Sequence, residues 1–210
     1  GSAVLVAGEP GIGKSTLLTQ LALRLGQENS RLEIRNSKLP PKAVLYVCGE
    51  ESPEQVKLRI ERLATSVKRL GEDNLLLLAE TDVDEIISQI SNLKSQNLGL
   101  IIIDSVQTLA TDDLAGMAGS VGQVRESTGR LIEVTKRLHI PLFLVGHVTK
   151  EGAIAGPKVL EHMVDVVVEV EGEREHDFRI VRALKNRFGA TDEVGVFAMS
   201  DEGIREITNP

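Results

Sequence analysis

Residues 3–16, Ala3-Val4-Leu5-Val6-Ala7-Gly8-Glu9-Pro10-Gly11-Ile12-Gly13-Lys14-Ser15-Thr16, decide how the chain is read. Ala3–Ala7 is an apolar, β-like run, Ser15–Leu25 repeats apolar residues at helical spacing, and three glycines lie between them. Strand, glycine-rich turn and helix in that order are the setting of a phosphate-binding loop. Gly8, Gly11 and Gly13 let the main chain curl so that successive amide N–H groups face one anion, and the helix opening at Gly13-Lys14 adds its positive end. Lys14 is expected on the β- and γ-phosphates and the Ser15 hydroxyl on Mg²⁺, with Glu9, Pro10, Ile12 and Thr16 completing the nucleotide-binding stretch. The competing reading is a chance glycine turn, which average residue usage would produce in roughly 1 chain in 100 of this length.

Outward from this loop, short apolar runs alternate with amphipathic segments. Ala43–Cys48 reads as a second strand. Ser52 as N-cap, Pro53 at the first helical position and Gln55 closing a capping box predict a helix running toward Val67. Leu75–Leu78 is a third strand, Val83–Leu93 an amphipathic helix, and Leu98–Ile103 an unbroken apolar strand of the kind buried on both faces. Leu109–Gly122 lacks any period and is expected as a mobile loop. Val124–Leu138 reads as a helix, Leu142–Gly146 as a strand and Lys150–Pro157 as a second loop. Beyond Asp165 the helical rhythm fades, and Val166–Val170, Phe178–Leu184, Val194–Met199 and Ile204–Ile207 are expected as strands, with a turn at Asp201-Glu202-Gly203. Gln27–Pro41 reads as a polar connection. The expected fold is α/β, a P-loop NTPase core with a mainly parallel sheet flanked by helices: one domain over 1–210, parallel over 1–163 and antiparallel over 164–210.

Composition narrows the partners. Lys and Arg number 24 against 31 Asp and Glu, a net charge of −7, so the chain is no simple polycation. Four Phe, one Tyr and no Trp are too few for a base-stacking platform. The lone Cys48 excludes an internal disulfide or a multi-cysteine zinc site and reads as a packing residue. No run approaches the ~20 apolar residues of a membrane span, and a cytoplasmic location without membrane partners is expected.

Three further positions carry chemistry. Asp104, at the end of the apolar strand, would hold Mg²⁺ through water; a turn aspartate is the plainer alternative. Glu50, after the second strand, would orient and deprotonate a water aimed at the γ-phosphate. Glu51 beside it would repel it and raise the pKa of one of the pair; first-turn helix acids are the alternative. Lys57, Arg59, Arg62, Lys68 and Arg69, interspersed with Glu54 and Glu61, read as a solvated helical face.

Taken together, Gly8–Ser15, Tyr46-Val47-Cys48-Gly49-Glu50-Glu51-Ser52, Asp104-Ser105-Val106-Gln107-Thr108, Gly146-His147-Val148-Thr149-Lys150 and Lys185-Asn186-Arg187-Phe188-Gly189 resemble the ATPase domain of the bacterial RadA (Sms) family. These are RecA-like proteins of DNA repair and recombination, and the likeness covers nearly the whole chain. The resemblance implies an ATP- and Mg²⁺-dependent ATPase, a hexameric ring with nucleotide between subunits, and branch migration on single-stranded or branched DNA. It also implies dealings with a recombinase and other repair proteins. Family members carry a four-cysteine zinc finger and a Lon-like domain, so these 210 residues are expected to be an ATPase core or a shortened homologue. Lys185 and Arg187 would share a strand face and complete a neighbour's site in trans; a solvated basic pair is the alternative. His147 would sense the γ-phosphate, or else be a strand-end histidine satisfied by backbone. The resemblance places DNA contacts at Arg125, Lys150 and Lys158, although Asp112 and Asp113 would repel phosphates there. Phe188 is expected as a core or interface anchor. A nucleotide-gated assembly module that does not act on DNA is the alternative function, since fold alone does not fix activity.

Overall fold

Apolar runs and capped amphipathic segments set the elements of the computed structural model, which describes residues 1–31, 42–64, 74–93, 97–148, 157–172 and 178–207. In chain order they are β1 (Ala3–Gly8), α1 (Lys14–Arg31), β2 (Ala43–Cys48), α2 (Pro53–Ala64), β3 (Leu75–Leu78), α3 (Val83–Asn92), β4 (Leu98–Asp104), α4 (Val121–Arg137), β5 (Leu142–His147), α5 (Pro157–Leu160), β6 (Val166–Glu171), β7 (Phe178–Asn186), β8 (Val194–Ser200) and β9 (Gly203–Glu206). The strands form one sheet in the order β3-β2-β4-β5-β1-β6-β7-β8-β9. Every pairing from β3 to β6 is parallel, and β7, β8 and β9 follow antiparallel.

The central strands are apolar throughout because both of their faces are covered. Leu5, Leu45, Ile101, Ile103 and Leu144 pack on one face with Ile86, Ile90, Val124 and Leu131 of α3 and α4. Val4, Val6, Val44, Leu100 and Ile102 pack on the other with Leu18, Leu23, Val56, Ile60 and Leu63 of α1 and α2. Strand alternation therefore splits each run between two cores. The capping box forms as expected: Ser52 N donates to Gln55 Oε1 at 2.9 Å, and Gln55 N donates to Ser52 Oγ at 3.4 Å. Among the described residues no helix is long and apolar enough to cross a membrane.

Four expectations need correction. α1 runs on to Arg31, into the stretch read as a polar connection from Gln27. The parallel sheet does not stop at residue 163: β6 pairs parallel to β1, with Val4 opposite Val166, and the antiparallel part starts at β7. A parallel neighbour needs a crossover, and part of it is α5, whose Leu160 is buried along with Val164 beyond it. The loop expected as mobile over Leu109–Gly122 is fastened. Gln123 is buried, its Nε2 donates to Thr111 O at 2.9 Å and Leu114 O at 2.6 Å, and its Oε1 accepts from Thr111 N at 2.9 Å. Ser120 caps α4, so that helix begins at Val121, before the expected Val124. The α2 end expected near Val67 falls outside the described residues.

Candidate active site

Parallel strands β1, β2, β4 and β5 deliver their C-terminal ends to one edge of the sheet, where ligands of such folds sit. The loop from Gly8 to Lys14 curls there. Gly13 has φ +109°, and a Cβ on it would lie 2.3 Å from Met199 Cε of β8; Gly11 has φ +77°. Both conformations favour glycine. Ile12 plugs the loop into the core beside α1, and its carbonyl accepts from Arg179 Nε at 2.9 Å. Arg179, buried in β7, thus braces the loop from the antiparallel side. Gln20 of α1 exchanges bonds with Ile204, donating to its O at 3.2 Å and accepting from its N at 2.7 Å, which ties the terminal hairpin to the same helix.

Lys14 is buried, and its Nζ donates to Gly8 O at 2.9 Å and Glu9 O at 2.8 Å. Burial lowers its pKa to about 8, against the opposing pull of Asp104 and Glu50. It remains mainly a cation at neutral pH. Its charge therefore faces the cleft with little competing hydration.

Two side-chain networks flank it. In the first, buried Tyr46 donates its OH to Asp104 Oδ2 at 2.5 Å and accepts from Arg59 Nη2 at 3.3 Å. Burial, with Asp104 beside it, pushes the Tyr46 phenol up, so it stays a donor. Arg59 Nη1 meets Glu51 Oε2 at 2.5 Å, and the Arg59 side chain is only 9% exposed. Arg59 is therefore no part of a solvated face. Glu51 turns toward it and away from the role of raising a neighbour's pKa.

In the second network Glu50 Oε1 accepts from Ser105 Oγ at 2.5 Å, and both Glu50 oxygens lie at 3.0 and 3.1 Å from His147 Nε2. Gln107 Nε2 donates to His147 O at 3.4 Å. The hydrogen bond from His147, helped by Ser105 and the Lys14 charge, holds the Glu50 carboxyl below the usual range although burial opposes it. This reverses the expected rise. Glu50 stays ionised at neutral pH and can accept a proton only with strong geometric assistance. His147 lines the cleft and is not a backbone-satisfied strand end, since its ring partner is Glu50.

Lys14, Ser15, Thr16, Glu50, Asp104 and His147 line one cleft of about 610 Å³, a size that suits a nucleotide. The Ser15 hydroxyl and the Asp104 carboxylate present hard oxygen donors to it, and Asp104 is fixed by Tyr46, so the donor set fits Mg²⁺. No cluster of three or more His, Cys, Asp or Glu among the described residues suggests any other metal. Cys48 is buried with its thiol pushed up and donating to Leu78 O at 3.4 Å, in keeping with packing.

The remaining expected site residues lie elsewhere. Lys185 and Arg187 sit at the opposite edge, because β7 runs antiparallel and its end faces the start of β6. Lys185 Nζ donates to Val164 O at 2.8 Å and Glu161 O at 2.5 Å, and Arg187 Nη1 donates to Asp165 Oδ1 at 3.2 Å. Arg125 is exposed on α4 and Lys158 on α5, while Lys150 falls outside the described residues. Asp113 meets Arg130 Nη2 at 2.9 Å, and Asp112 is exposed. Phe188 is 70% exposed and is not a core residue.

Sequence reasoning missed Tyr46, Arg59, Ser105, Gln107 and Arg179. A signal existed for Arg59: Val56, Arg59, Ile60 and Leu63 keep the i, i+3, i+4, i+7 stripe of a buried helix face. Ser105 and Gln107 stood within a quoted motif but carried no charge to draw notice.

The AAA domain family model matches residues 1–153. A protein named DNA repair protein RadA from Bacillus subtilis is 49% identical over 211 residues, taking in 100% of this chain and 42% of that protein. Its namesake in Listeria monocytogenes is 50% identical over 210 residues, again 42% of its length. The chain thus spans less than half the length of these curated relatives. Among solved structures, a KaiC-like protein from Pyrococcus horikoshii superposes with a TM-score of 0.71, covering 98% of this chain and 89% of that one at 16% identity. That likeness shows a RecA-like fold.

Proposed function

The chain belongs to the AAA domain family, and from that premise we propose that it binds ATP with Mg²⁺ and hydrolyses it. On this reading it is the motor domain of a DNA-repair ATPase that works on single-stranded or branched DNA as a ring of six. The observation that carries the reading is the meeting of Lys14, Ser15, Asp104 and Glu50 in one cleft at the phosphate-loop edge of the sheet. The loop amides and Lys14 hold the β- and γ-phosphates. Ser15 and Asp104 hold Mg²⁺, which supplies neutralisation of the charge that gathers on the phosphate oxygens. Glu50 orients a water and takes its proton, with Ser105 and His147 fixing the carboxylate.

Arg187 completes a neighbour's site. The six residues of β1 separate it from the phosphate loop of its own chain by about 20 Å, well beyond the reach of an arginine side chain. Action in trans in a head-to-tail ring is what that placement allows. Arg125, Lys158 and Lys150 remain the proposed DNA contacts, and a recombinase and other repair proteins the proposed partners.

The test has two parts. Glu50→Gln should keep Mg-ATP binding and lose turnover; undiminished hydrolysis removes Glu50 from the role of base. Turnover of the native chain should rise with single-stranded DNA. Indifference to DNA, joined with ATP-dependent assembly, would favour a nucleotide-gated switch instead.

A further inference from the structure

The structure assigns to Asp165 the task of positioning Arg187 for the nucleotide of the neighbouring subunit, an inference that rests on the reading of Arg187 as a group acting in trans. Asp165 lies between α5 and β6, and its side chain is only 6% exposed. A carboxylate so buried needs full compensation by charge and hydrogen bonds. Its Oδ2 accepts from Ala3 N at 2.9 Å, and its Oδ1 accepts from Lys136 Nζ at 3.0 Å and Arg187 Nη1 at 3.2 Å. The main chain repeats the link, since Asp165 N donates to Ala3 O at 2.9 Å and Arg187 N donates to Asp165 O at 3.1 Å. One residue thus joins the start of β1, the last turn of α4 and the segment that carries Arg187.

The two cations of that segment differ in what they can offer a ligand. Lys185 is spent on the carbonyls of Glu161 and Val164, so it locks the segment rather than presenting charge. Arg187 is 52% exposed and donates only Nη1 to Asp165 among the described residues. The other donors of its planar fork are free to take a phosphate oxygen in the two-pronged manner that suits guanidinium. Lys136 is the reason this pairing does not trap the arginine. When Arg187 leans toward an anion, Lys136 and Ala3 N still compensate the buried carboxylate. Asp165 therefore fixes the direction of the guanidinium without consuming it.

The experiment is complementation between subunits of the purified chain. Asp165→Asn keeps the shape of the side chain and removes its charge. It should bind Mg-ATP as the native chain does, and turn it over roughly tenfold more slowly or worse. Lys14→Ala has no working phosphate loop but an intact Arg187. Mixed in equal amounts, the two should recover activity, because roughly a quarter of interfaces then join a sound loop to a sound Arg187. Arg187→Ala mixed with Lys14→Ala is the parallel arm. Asp165→Glu, which keeps the buried charge and shifts it by one methylene, takes the same test if the asparagine variant does not fold. Recovery in both arms supports the positioning role. Recovery only in the Arg187→Ala arm, or undiminished turnover by Asp165→Asn, overturns it. No recovery in the Arg187→Ala arm overturns the trans reading of Arg187, and the role of Asp165 with it.

Discussion

Tyr46→Phe removes one buried oxygen where the core meets the cleft. The ring stays, so packing against α1 and α2 is kept and no cavity larger than a hydroxyl opens. What is lost is the 2.5 Å bond to Asp104 Oδ2 and the acceptor that Arg59 Nη2 meets at 3.3 Å. A hydrogen bond to a charged group contributes about 1.5–3 kcal/mol. Asp104 is almost fully buried, at 6% exposure, and can regain only part of that from water. Arg59 keeps Glu51 and loses one bond. Destabilisation by about 2 kcal/mol is therefore expected, toward the middle of that range. Urea unfolding of the native and variant chains at pH 7, followed by far-UV circular dichroism, measures it. A change under about 0.5 kcal/mol, the level of a neutral surface substitution, would refute the claim that this bond anchors Asp104.

Further outcomes follow from the same geometry. His147→Ala removes the largest cause of the lowered Glu50 pKa, so that pKa rises toward the ordinary carboxylate value and the acid limb of turnover moves to higher pH. In the native chain Glu50 stabilises the fold above its unfolded pKa and loses that contribution as pH falls through its lower folded pKa; a pH–rate profile and acid titration of both chains check the direction. Gln123→Leu removes the partner that Gln123 supplies to Thr111 N and to the Leu114 carbonyl, leaves the Thr111 carbonyl with only Leu114 N at 3.5 Å, and should destabilise by about 3 kcal/mol, read by thermal or urea unfolding. Gly13→Ala meets a φ of +109° that alanine rarely adopts, at roughly 1–3 kcal/mol, and should weaken nucleotide binding about tenfold, read by calorimetry.

The legible part of the fold was that set by local chemistry. The phosphate loop, the capping box at Ser52 and Gln55, and the unbroken run before Asp104 each declare themselves within a few residues. The pairing of Glu50 with His147 does not: the residues are 97 apart in sequence and meet because β2 and β5 both flank β4. A still longer separation hid Arg179, which braces Ile12 from 167 residues away. The parallel pairing of β6 was obscured because Val166–Glu171 looks the same alone whichever way its neighbour runs. The order in the loop after β4 was hidden by its composition, since Gly, Ala and Asp without a period suggest mobility, while one buried glutamine holds them. Charge was the misleading cue for Arg59 and Glu51, which neutralise each other against the core.

Calorimetric titration of Mg-ATP into the native chain and into Lys14→Ala decides whether the glycine-rich loop is a nucleotide site. The expected result is a saturable heat of binding for the native chain that is lost or weakened at least tenfold in the variant, because the Lys14 cation lines the cleft where the phosphates would lie. Equal heats for the two chains, or no heat for the native one at millimolar nucleotide, would contradict it.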